Sequence, residues 1–136
     1  MANTFSQIYL QFIFAVQNRQ SLIAKENKEE LHKYITALVQ NRKAKMLAIN
    51  SMPDHTHLFV GFKPTILISD FVKEIKVESN EFINNKNWMR GKFNWQERYG
   101  VFSYSHSHID TVIKYVLNQD IQTGIFKFIE QVRDPI

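Results

Sequence analysis

The chain has 136 residues, 44% of them apolar and 22% charged, a length that closes one hydrophobic core and leaves no room for a second, so residues 1–136 are read as a single domain. It contains no cysteine, which excludes disulfide frameworks, thiolate metal sites and cysteine nucleophiles together. Seventeen Lys and Arg against thirteen Asp and Glu leave a net charge of +4, enough to make a polyanionic partner worth testing and too little to identify one.

Gln7 to Val16 is filled with β-branched and aromatic residues on both alternating faces, Ile8, Leu10, Phe12 and Phe14 on one and Tyr9, Ile13 and Ala15 on the other. This pattern predicts a central strand buried on both sides. The run is interrupted by Gln11 and closed by Gln17, Asn18 and Arg19, so it reads as neither a membrane span nor a signal peptide, and a cytoplasmic protein is expected. From Asn27 to Asn41, Leu31, Tyr34, Ile35, Leu38 and Val39 recur at helical spacing opposite Lys28, Glu29, Glu30 and Lys33, which predicts an amphipathic helix; His32 falls among those charges and reads as solvated. Lys45 to Asn50 and His55 to Phe62 then form two short strand-like runs joined by Ser51, Met52, Pro53 and Asp54, a link short enough for an antiparallel hairpin.

A second helix is signalled by Ile68, Phe71, Val72, Ile75, Phe82 and Ile83, and is expected to end near Asn84 and Asn85. The stretch from there to Gly100 holds both tryptophans and sustains no period; it reads as a long ordered loop of the functional kind. Val101 to Ser105 follows as a fourth strand. Ser107 with Asp110 resembles a capping box opening a last helix with a stripe of Ile109, Val112, Ile113, Val116, Leu117 and Ile121, extending to Phe128. The order β-α-β-β-α-loop-β-α favours an α+β, ferredoxin-like (RRM-like) antiparallel four-stranded sheet covered by helices, with an additional C-terminal helix. That fold hosts unrelated functions, so activity has to be argued from a site.

His55 and His57 lie two residues apart on a predicted strand, which puts both imidazoles on one face with Cα atoms roughly 6.5 Å apart, a spacing that can grip one metal ion. The alternative is a pair of polar residues at a solvated strand end, and the tight turn before them together with the apolar run after them shifts the balance towards ligands. A second such pair, His106 and His108, straddles the predicted start of the last helix and reads as surface or cap chemistry. Tyr115 and Gln119 stand four residues apart on that helix, on one flank beside the apolar stripe. Two imidazoles, an amide oxygen and a phenol together suit phosphoryl transfer at a divalent metal.

Three blocks carry a resemblance: Met52-Pro53-Asp54-His55-Thr56-His57-Leu58, the stretch from Trp95 to Ser103, and Tyr115-Val116-Leu117-Asn118-Gln119. In this order the sequence resembles the single-tyrosine HUH transposases, which mobilise single-stranded insertion sequences, and their relatives at palindromic repeats. The resemblance covers most of the chain. It implies that His55, His57 and Gln119 bind magnesium or manganese, and that Tyr115 attacks a phosphodiester to leave a 5′-phosphotyrosine and a free 3′-hydroxyl. It also implies single-stranded DNA with hairpin structure as substrate, association with the nucleoid when bound to DNA, and a homodimer able to exchange its C-terminal helix. Thr56 departs from the hydrophobic residue usual between the histidines, and Gln11-Phe12 stands where many relatives carry histidines.

Arg42, Lys43, Lys45, Lys73, Lys76 and Arg98 are the candidate phosphate contacts, and Trp95, with Trp88 or Tyr99, the candidate stacking surface for unpaired bases. Two other readings stay open: a non-enzymatic RRM-like nucleic-acid-binding module, though no aromatic RNP signature is visible, and a metal-dependent phosphodiester hydrolase that needs the histidines and dispenses with Tyr115.

Overall fold

The structure, a computed structural model, describes residues 6–118. Strand β1 (Ile8–Ala15) leads through two single turns of 3-10 helix into helix α1 (Lys28–Asn41). Strands β2 (Lys45–Met52) and β3 (His55–Phe62) form the hairpin, followed by helix α2 (Ile68–Lys86), strand β4 (Gly100–Tyr104), a turn of 3-10 helix and helix α3 (Ile109–Leu117). The strands make one antiparallel sheet in the order β2-β3-β1-β4. This is an α+β architecture, compatible with the ferredoxin-like arrangement expected from the element order.

The alternation of β1 and β3 decides what each face receives. Leu10, Phe12 and Phe14 from β1 and Leu58, Val60 and Phe62 from β3 are buried in the main core beneath α1 and α2. Helix α1 adds Leu31, Ile35, Leu38 and Val39, and α2 adds Phe71, Val72, Ile75 and Ile83, spacings that keep one stripe of each helix on the sheet. The Phe71 ring closes on Phe12 and Phe62, at 5.3 and 5.0 Å between centroids. The opposite face receives α3, whose Val112 and Val116 pack with Ala48 and Phe59, bordered by Tyr9, Leu47, Tyr104, Ile109 and Ile113. His55 and His57 share parity with Phe59 and therefore belong to this second face.

The hairpin link is tighter than the sequence suggests, since β2 continues through Ser51 and Met52 and only Pro53 and Asp54 turn. Residues 87–99 are an ordered loop, as expected, and α2 holds them. The Asn84 side chain accepts from Phe93 N (2.7 Å) and donates to Phe93 O (2.9 Å), Asn80 Oδ1 accepts from Trp95 N (3.2 Å), and the Trp95 indole N–H donates to Ser79 Oγ (2.8 Å). The capping box does not form: a 3-10 turn, His106–His108, precedes α3, whose N-cap is His108 with no side-chain cap bond. Ser105 Oγ instead bonds Ser107 Oγ and His108 Nδ1. The predicted continuation of the last helix through Ile121 to Phe128 lies outside the described residues, as does Gln119.

His32 is not solvated. It is half-buried and its Nε2 lies 2.8 Å from Ser51 Oγ, which in turn bonds Thr56 Oγ1.

Candidate functional site

The site begins with the two-residue turn. Asp54 sits where the hairpin reverses, and its Oδ1 accepts a hydrogen bond from the next residue, His55 Nδ1, at 2.7 Å. Its Oδ2 accepts two from Arg19, Nε at 3.0 Å and Nη2 at 2.8 Å. Asn18 and Arg19 both adopt left-handed backbone (φ 58° and 55°), a conformation non-glycine residues rarely take, just beyond β1. Burial alone would raise the Asp54 carboxyl, but the hydrogen bonds and charges of His55 and Arg19 outweigh it and hold the group at about 2.

His55 is 2% exposed and His57 fully buried, with ring centroids 5.1 Å apart at 61°. In register, Ala15 opposes His55 and Ile13 opposes His57 across β1, while Met52 and Asn50 oppose them across β2. His57 Nδ1 lies 2.6 Å from Oε1 of Gln11, a buried side chain two positions back along β1, and Gln11 Nε2 donates to the Tyr104 hydroxyl on β4 at 2.9 Å. A carboxylate or amide oxygen can only accept, so each histidine carries a proton on Nδ1. His57 Nε2 is buried and has no hydrogen-bond partner among the described residues. Desolvation, with the charge of His55, pushes the His57 imidazole down to about 3, so it is neutral at physiological pH.

Helix α3 lies over the same face. Asn50, opposite His57, donates from Nδ2 to the carbonyls of Val116 and Leu117 at 3.2 Å each, which fastens the last turn of α3 beside the histidine strand. Tyr115 belongs to that turn and is 37% exposed. Burial, and then the neighbouring Tyr104, raise its phenol above the usual tyrosine range. The structure thus brings His55, His57 and the Tyr115-bearing turn to one sheet face.

A buried imidazole nitrogen with an available lone pair, its other nitrogen committed to an oxygen, is the donor that a divalent metal seeks, and each ring is oriented by a partner behind it. His57 therefore fits such an ion, with the His55 ring beside it on the same face. Among the described residues no group of three His, Cys, Asp or Glu is assembled.

The candidate nucleic-acid contacts separate. Lys43, Lys45, Lys73 and Arg98 are exposed. Arg42 is engaged with Glu74, Glu78 and the Leu38 carbonyl. Lys76 donates to the carbonyls of Gln96 (2.5 Å) and Glu97 (3.0 Å), and burial lowers its ammonium to about 8. Trp95 is 5% exposed and packs edge-on against Phe14 and Phe93, so it offers no ring face to a base. Trp88 and Tyr99 pack partly buried against the same core. A groove of about 720 Å³ that the sequence did not signal runs along α1, lined by Lys25, Lys28, His32, Lys33 and Asn50 among others.

Residues 4–119 match the family described as Transposase IS200 like. The chain belongs to the IS200-like transposase family. Two solved structures share the fold of this IS200-like transposase. One is a crystal structure of a protein from Deinococcus radiodurans R1 assigned as a transposase, with a TM-score of 0.70, 23% identity, and coverage of 88% of this chain and 95% of that one. The other is a REP-associated tyrosine transposase bound to a REP hairpin, with a TM-score of 0.64, 16% identity, and coverage of 91% and 73%. No curated protein matches the sequence. Gln11, Tyr104, Arg19 and Asn50 are the site residues that sequence reasoning missed; a polar Gln inside an otherwise apolar central strand was the one signal available.

Proposed function

We propose that this IS200-like transposase cleaves and rejoins single-stranded DNA at hairpin-bearing ends, with Tyr115 as nucleophile and His55, His57 and Gln119 as ligands of magnesium or manganese. The observation that carries the reading is the lone-pair nitrogen of His57, buried without a partner among the described residues, on the face that also bears the Tyr115 turn. A divalent ion there would neutralise charge on the scissile phosphate. His57 stays neutral through burial, so its lone pair is available at any physiological pH. Asp54 and Arg19 orient His55. Tyr115 Oη forms the new bond to phosphorus, its proton passes to solvent, and the P–O3′ bond breaks with the electron pair leaving on the 3′-oxygen, which is then protonated. The phosphotyrosine conserves the phosphodiester linkage, so a 3′-hydroxyl can reverse the step and rejoin strands without ATP. Hairpin DNA is supported as substrate by the structural relative that holds a REP hairpin.

The test is a covalent adduct. Protein mixed with manganese and 5′-extended hairpin single-stranded DNA is expected to yield a protein–DNA adduct on a denaturing gel, absent with Tyr115→Phe, which still binds the DNA. Adducts persisting in that variant would remove the nucleophile assignment, and cleavage without adduct would favour a hydrolase. The same assay tests the expected homodimer: mixing Tyr115→Phe with His57→Ala protein restores adducts if the last helix of one protomer serves the histidines of its partner.

A further inference from the structure

The hydrogen bonds behind His57 run as a diagonal across three strands. Gln11 is opposite Phe59 on β3 and Phe102 on β4, so its side chain meets His57 and Tyr104, each two residues from its register partners, as diagonal neighbours on one face do. Every link is short: His57 Nδ1 to Gln11 Oε1 at 2.6 Å, Gln11 Nε2 to Tyr104 Oη at 2.9 Å. Gln11 is fully buried, where an amide left without partners is costly, so both of its ends must be used.

A buried amide between an imidazole and a hydroxyl has two orientations with opposite consequences. With Oε1 towards His57, the ring carries its proton on Nδ1 and keeps a lone pair on Nε2. With Nε2 of the amide towards His57, Nδ1 must accept, and the imidazole proton moves to its own Nε2, where it blocks a cation. In the structure Gln11 Nε2 donates to the Tyr104 hydroxyl and Oε1 faces His57, which is the first orientation. We propose that Gln11, braced by Tyr104, is a positioning residue that keeps His57 in the Nδ1–H tautomer and its Nε2 open to a divalent cation. The inference rests on the reading of His57 as a metal ligand, and extends it to two residues on other strands.

The test uses the full chain carrying Tyr115→Phe, so that no chemistry intervenes, and two readouts. Long-range proton–nitrogen NMR of the metal-free protein reports the His57 tautomer, and manganese titration followed by EPR reports affinity. Expected for the background protein are a protonated Nδ1 and manganese binding. Gln11→Met, of similar length and without an acceptor, is expected to lose the tautomer preference and about 10–100-fold in manganese affinity, the usual cost of removing such a partner. Gln11→Glu, which restores an oxygen facing Nδ1, is expected to recover both, a rescue that a merely structural role would not produce. A folded Gln11→Met protein with unchanged tautomer and affinity overturns the inference. Should that variant not fold, Tyr104→Phe carries the test: a new Nε2–H population supports the brace, and an unaltered spectrum overturns it. A background protein that binds no manganese removes the metal reading, and the NMR comparison still decides the positioning role of Gln11.

Discussion

His32 and His57 occupy opposite faces of the sheet, and burial lowers both imidazoles, to about 4 and about 3 respectively. For His32, desolvation is the larger cause and the Lys28 ammonium adds to it. Its folded-state value lies below the ordinary 6.5, so below that pH the unfolded chain takes up a proton that the folded chain refuses. Its contribution is therefore fully present above about pH 6.5 and is lost as pH falls towards about 4. His32→Gln, which keeps a hydrogen-bonding group near Ser51, is expected to flatten part of the fall in denaturation midpoint between pH 6.5 and 4. An unchanged pH profile would show that His32 titrates normally in the fold. The sequence placed His32 among charges and could not reveal this, because the partner that buries it, Ser51, comes from a strand 19 residues away. The histidine pair was legible for the opposite reason: a two-residue spacing on a strand fixes a shared face without any long-range information.

Helix α3 has nine described residues, too few to be stable alone, so its docking decides whether the Tyr115-bearing turn stays on the sheet face of the histidines. Val112 and Val116 provide the apolar contact, and Asn50 ties down the last turn by two hydrogen bonds. Asn50→Ala is expected to weaken that docking by about 1 kcal/mol, the net value typical of such bonds. Hydrogen exchange of α3 amides should then accelerate about fivefold while β1 and β3 amides keep their protection; equal loss across the sheet would mean that Asn50 supports the fold as a whole. The stripe of α3 was readable from its period, and its start was not. Ser107 and Asp110 matched a capping pattern, yet Ser105 bonds Ser107 and His108 first and winds the entry into a 3-10 turn. The β2–β3 link shortened for a related reason: Ser51 bonds Thr56 across the ladder and His32 on α1, and the pairing continues to Met52.

Across the molecule, the positive balance is unevenly available. Arg42 and Lys76 are consumed by contacts within the fold, whereas Lys43, Lys45, Lys73 and Arg98 are exposed. Replacing Lys43 and Lys45 together by Ala is expected to weaken single-stranded DNA binding and, if each meets a phosphate, to reduce the salt dependence of log K by about 1.4, while leaving the melting temperature unchanged. Arg42→Ala should do the reverse, lowering the melting temperature with little effect on the salt slope. Matching slopes for both variants would place the DNA elsewhere, with the groove along α1 as the next surface to probe. Among the described residues no helix is long and apolar enough to cross a membrane.

The alternation of β1 and β3, the stripes of α1 and α2, and the His55–His57 spacing are local properties, each set by a fixed residue period, and the sequence alone determined them. Which cations remain exposed, whether Trp95 offers a face, and what stands behind each histidine depended on strand order and register. Gln11 meets both His57, 46 residues away along the chain, and Tyr104, 93 residues away, only because β1 lies between β3 and β4. Contacts of that kind are made by side chains that pass through no shared local segment, and only the closed sheet could decide them.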